Sequence, residues 1–96
     1  MTPEARVKNA VKKLLTEHGA WYFMPVSNGM GRHGIPDIIC CVGGRFMAIE
    51  CKAGKGRTTA LQQRELERIT EAGGAALVVN DDPETMEYLQ CLLMNR

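Results

Sequence analysis

A chain of 96 residues, 45% hydrophobic and 24% charged with four Pro, has the composition of one small globular domain spanning 1–96 and excludes a disordered chain. Its apolar runs stay far short of the ~20 residues of a membrane-spanning helix, which predicts no membrane partner. The net charge of +1 hides an asymmetry: residues 1–57 carry nine Lys/Arg against four Asp/Glu, and residues 58–96 carry three against seven. A basic N-terminal part can draw an anion to one side of the molecule, although a chance split of solvated charges gives the same count.

The opening Met1-Thr2-Pro3-Glu4-Ala5-Arg6 is charged and amphipathic rather than a secretory leader, which predicts a cytoplasmic protein. Thr2 suits a helix N-cap, Pro3 the first helical position and Glu4 the positive end of the dipole. Val7, Ala10, Val11, Leu14 and Leu15 form the apolar stripe of that helix, and His18-Gly19 ends it. Residues 20–26 read as a short aromatic strand with Pro25 near its edge, and Trp21, Tyr22 and Phe23 are expected in the core. Residues 27–34 hold three Gly in eight positions and read as a loop.

Residues 35–42 and 45–52 are two strand-like runs joined by Gly43-Gly44, a hairpin signal. Both of its faces are largely apolar, which predicts a sheet covered on both sides. Residues 53–58 form a basic loop, in which Gly54-Lys55-Gly56-Arg57-Thr58 lacks the spacing of a nucleotide-binding P-loop. A helix over 59–72 with Leu61, Leu66 and Ile69 as its stripe, then a strand over 75–79, complete a strand–helix–strand crossover. Asp82 and Pro83 start a last helix bearing Met86, Leu89 and Leu93. The cysteines at 40, 41, 51 and 91 lack zinc-site spacing and read as reduced thiols, with Cys40 and Cys41 as small buried apolar residues.

The hairpin register follows from its loop. If Val42 faces Arg45, Asp37 faces Glu50 with Cβ atoms ~4.5–5.5 Å apart. Strand alternation puts Lys52 on the same face, beside Ile39, Cys41, Phe46 and Ala48. Two opposed carboxylates repel unless a cation lies between them. A hard divalent ion fits, and so does an edge salt bridge to Lys52.

These residues also carry a resemblance. Gly34-Ile35-Pro36-Asp37 with Glu50-Cys51-Lys52 resembles the signature of the PD-(D/E)xK nuclease superfamily. The chain is most similar to the virus-type replication-repair nuclease (VRR-NUC) domains of the stand-alone phage or bacterial kind. The likeness includes the helix bearing Glu4, the Gly-rich segment 29–34, the runs 38–41 and 46–53, and the Gln-bearing helix with its Gly-Gly stop over 62–74. It implies an α/β, restriction-endonuclease-like core: a mixed central sheet with helices on both faces.

The resemblance further implies hydrolysis of phosphodiester bonds in branched DNA with Mg²⁺ or Mn²⁺, in a bacterial cell or a phage-infected host. Asp37 and Glu50 would bind the metal, with the Cys51 carbonyl as a further ligand and Glu4 completing the shell. Lys52 would act on the attacking water or on the charged transition state, and Gln62 matches the helix glutamine of the family, with Gln63 beside it as the alternative. Such an ion polarises a phosphoryl oxygen and makes water a better nucleophile. Arg32, His33, Lys55 and Arg57 in the flanking loops would hold DNA phosphates. The expected enzyme is a homodimer that cuts four-way (Holliday) junctions, its interface on the Trp21–Phe23 strand or the last helix. The alternatives are a flap nuclease and a non-catalytic DNA-binding module of the same fold.

Overall fold

Two glycines at positive φ, Gly43 at 58° and Gly44 at 75°, turn the chain between the two central strands of the sheet. A tight turn of this kind matches the right-handed twist of the strands it joins. The computed structural model describes residues 1–26 and 31–95. In it, β2 (Ile38–Val42) and β3 (Arg45–Cys51) pair antiparallel, from Val42 opposite Arg45 to Ile38 opposite Ile49. This is the register counted from the turn. On the outer side of β2 runs β1 (Trp21–Phe23), antiparallel, and beside β3 runs β4 (Ala75–Val79), parallel, in the order β1-β2-β3-β4. The parallel step requires a crossover, which α2 (Ala60–Glu71) supplies.

One face of this sheet carries the core. Ile38, Cys40 and Val42 of β2, Met47, Ile49 and Cys51 of β3, and Leu77 and Val79 of β4 share it. They meet Val7, Val11 and Leu15 from α1 (Pro3–Glu17) and Leu89 and Leu93 from α3 (Pro83–Met94). Leu15 is fully buried, and its truncation to Ala would cost about 2–5 kcal/mol. The helix starts are those expected. Thr2 Oγ1 accepts from the Ala5 amide, and Asp82 accepts from the Glu84 amide. At α2, Thr59 and Gln62 bond reciprocally in a capping box.

The second face departs from expectation. α2 packs on β4 and leaves the β1–β2 half of that face open. Trp21, Phe23 and Phe46 are exposed large apolar residues there, and Cys41 is exposed rather than buried. Tyr22 alone of the three aromatics packs on the core. Single apolar residues cannot be assigned to inside or outside by type, since much of any protein surface is apolar. Leu61 is exposed, and the buried positions of α2 are Glu65 and Leu66. β1 spans Trp21–Phe23 instead of 20–26, and β2 begins at Ile38 instead of residue 35. The expected loop positions 27–30 lie outside the described residues.

Candidate active site

At the end of the β2–β3 hairpin remote from its turn, side chains carry on the pairing where the strand ladder stops. The Asp37 amide donates to Glu50 Oε1 at 3.1 Å, and the Cys51 amide donates to Asp37 Oδ2 at 2.8 Å. Each carboxylate therefore grips the opposite strand, which fixes both side chains. Their outer oxygens face ammonium groups. Lys52 Nζ lies 3.2 Å from Glu50 Oε2, and Lys8 Nζ lies 3.7 Å from Asp37 Oδ1. The apposition of Asp37, Glu50 and Lys52 counted from the turn is present in full.

Glu50 is only 2% exposed. Burial and the neighbouring Asp37 charge raise its pKa from 4.5 to about 7, against the pull of Lys52. A group poised there can give up its proton to an arriving cation near neutral pH. Among the described residues, no three His, Cys, Asp or Glu side chains converge as a metal cage. The side-chain donors at this point are two carboxylates. Mg²⁺ commonly takes one or two carboxylates and keeps several waters, so the donor set fits such an ion. The Cys51 amide points toward Asp37. In an extended strand the carbonyl of the same residue points to the same side, so it offers a third oxygen.

The other expected residues line two clefts beside this pair. Glu4, Lys52, Arg57 and Asp81 border one of about 590 Å³. Arg32, His33, Asp37 and Gln62 border the other, of about 560 Å³. Gln62 caps its own helix, its Oε1 accepting from the Thr59 amide. Gln63 instead bonds Thr58 and Glu67 and lines a groove with Leu66 and Thr70. Of the adjacent pair, Gln62 is thus the one that shares a cleft with Asp37. Lys55 is exposed in the loop after β3.

A model of the archaeal Holliday junction resolvase family (Hjc) matches residues 5–88. The chain belongs to that family. Its membership confirms a PD-(D/E)xK-type nuclease, and Asp37, Glu50 and Lys52 all fall inside the matched span, with Glu4 one position before it. Among solved structures, the chain is similar to Hjc of Archaeoglobus fulgidus, a Holliday junction resolvase from an archaeal hyperthermophile. The TM-score is 0.58 at 20% identity, covering 80% of this chain and 68% of that one, a likeness that shows the shared fold. No curated protein sequence matches.

Two residues that pack on this candidate site were not legible in the sequence. Lys8 is one of three lysines on α1, and its approach to Asp37 depends on how that helix docks. Glu65, 4% exposed, forms a two-pronged ion pair with Arg32, whose second contact is 3.1 Å from Nη2 to Oε2. The helix period gives no signal for Glu65, since Leu61, one turn before it, is itself exposed. Arg32, expected on phosphates, thereby also ties the segment ahead of Asp37 to α2. Gly34 completes the tie. At φ +82° its backbone lies so close to α2 that an added Cβ would sit 2.5 Å from the Leu61 carbonyl oxygen.

Proposed function

We propose that this chain is a divalent-metal-dependent endonuclease that resolves four-way DNA junctions as a homodimer. The observation that carries this reading is the reciprocal bonding of Asp37 and Glu50 across the hairpin with Lys52 at 3.2 Å, inside the span matched by a junction-resolvase family. Asp37, Glu50 and the Cys51 carbonyl would hold Mg²⁺ or Mn²⁺, and Glu4, facing the neighbouring cleft, would bind its outer waters. When bound, the ion supplies electrophilic stabilisation of the phosphoryl group and a more acidic water.

The chain's own residues do the rest. The backbone bonds to both carboxylates hold them at fixed orientation, so little reorganisation is needed at the moment of reaction. Lys52, with its side chain 16% exposed, places a positive charge where negative charge develops on the phosphoryl oxygens. Arg57 and Lys55 on one side, and His33 and the free edge of the Arg32 guanidinium on the other, grip phosphates along the strand. Gln62 lines the second cleft with Arg32 and His33, where its amide nitrogen would donate to a phosphate.

Two coordinated cuts are needed to resolve a four-way junction, and a two-fold dimer supplies paired sites. The open half of the sheet is the surface that fits a second copy. The kinship with virus-type replication-repair nucleases rests on the Gln-bearing helix and its Gly-Gly stop. The test is incubation of labelled four-way junction, flap and linear duplex with Mg²⁺, Mn²⁺ or EDTA. Paired nicks in the junction, lost with EDTA and in Asp37→Asn and Glu50→Gln, are expected. Binding without cleavage under every metal condition would instead leave a DNA-binding module.

A further inference from the structure

We propose that Lys8 is a further positioning residue of this site: its ammonium holds Asp37 in the metal-free protein and competes with the metal for that carboxylate. The inference rests on the metal reading given above. Lys8 lies one helical turn after Glu4 on α1, so both side chains leave the same side of the helix. Two of the four carboxylate oxygens are occupied by backbone amides, Asp37 Oδ2 by Cys51 and Glu50 Oε1 by Asp37. The two that remain, Asp37 Oδ1 and Glu50 Oε2, face Lys8 and Lys52. A divalent ion must use these outer oxygens, and it meets an ammonium at each.

The two lysines differ in what they can do next. Lys52 extends from the end of β3 with its side chain 16% exposed and stays beside Glu50. Lys8 reaches in from a helix with its side chain 30% exposed, at the longer distance of 3.7 Å. It is free to swing its four-carbon stem toward solvent. Once displaced, it can pair with a DNA phosphate lying over the site, as it can with Glu4 one turn away on the same side of α1. Phosphate draws Lys8 off Asp37 and so favours the ion, and by reciprocity the ion favours the phosphate. The free protein therefore binds metal weakly and the DNA complex binds it more tightly, which keeps the free protein largely unloaded.

Titration of metal-free full-length protein with Mn²⁺ alone, followed by electron paramagnetic resonance, tests this. Lys8→Met and Lys8→Gln should bind Mn²⁺ about 3- to 30-fold more tightly than wild type, the scale expected for removing one nearby ammonium that competes for the same carboxylate. Lys8→Arg keeps the charge and should stay within about twofold of wild type. General damage to the fold weakens metal binding, so a gain cannot come from misfolding. Equal or weaker binding in both neutral variants overturns the inference. If wild type binds Mn²⁺ and cleaves junctions while the neutral variants show no gain, the Lys8 assignment alone fails. If neither wild type nor any variant binds Mn²⁺, the metal reading fails with it.

Discussion

Charges on two neighbouring side chains, Glu50 and Lys52, divide the chemistry between them. Lys52→Ala should lower turnover by about 10²–10³ with junction affinity nearly unchanged, because its charge acts on the transition state. Arg57→Ala should instead weaken binding and flatten its salt dependence, as a lost phosphate contact does. Single-turnover rates and a salt series of gel shifts separate the two. Glu50 sets a pH dependence of definite sign. Burial and the Asp37 charge raise it from 4.5 to about 7. Between those values the folded chain holds a proton that the unfolded chain has released, so the native state binds more protons. The stabilisation is complete below the unfolded value and is lost as pH rises through about 7. The urea midpoint of metal-free wild type, taken relative to Glu50→Gln, should therefore fall from about pH 5 to about pH 7.5. Metal binding should strengthen over the same range, since the ion must expel that proton. A relative midpoint that rises with pH would reverse the assigned sign.

The hairpin and α2 differ in how far their sequences disclose their structure. All five β2–β3 pairs follow from the Gly43-Gly44 loop by counting, because a two-residue turn leaves no freedom of register. Asp37 and Glu50 were placed by the same count. Lys8 and Glu65 were not, because their roles depend on how α1 and α2 dock, and local periodicity contains no docking information. For the same reason the open half of the second face was hidden. Its residues are as apolar as those on the covered face, and only the length and position of α2 decide what is covered. Within α2, the ion pair of Glu65 with Arg32 has a measurable consequence. Arg32→Ala leaves a buried carboxylate without its partner and should cost about 1–3 kcal/mol. Arg57→Ala, in an exposed loop, should stay within about 0.5 kcal/mol. Adding Glu65→Leu to Arg32→Ala should restore much of the loss. Urea unfolding of wild type and these three variants checks the series, and an Arg32→Ala chain as stable as wild type would show the pair to be energetically idle.

For the whole molecule, the open sheet face lays out two rows. Trp21, Cys41 and Phe46 lie side by side across three strands, and Phe23 and Ile39 form the next row, which ends at the fully buried Ala48. The Trp21 and Phe23 rings pack against each other tilted by 54°, with centroids 5.5 Å apart. α3 is the weaker candidate for a contact between copies, since Leu89 and Leu93 are spent on the core. Light scattering during size-exclusion chromatography should give about twice the chain mass of 10.6 kDa. Trp21→Glu with Phe46→Glu should give a monomer that nicks flaps but no longer makes paired cuts in junctions. A wild-type monomer at micromolar concentration would defeat the dimer. The exposed cysteines offer a further reading of this surface. Burial raises the Cys40 thiol to about 11 and the Cys51 thiol to about 12, so neither forms appreciable thiolate at neutral pH. Cys41 and Cys91 are both exposed, one in the aromatic row and one on α3. The chain thus carries its own pair of footprinting probes. Alkylation with iodoacetamide across a protein dilution series compares them directly: association through the sheet slows Cys41 and spares Cys91, and association through the helix does the reverse.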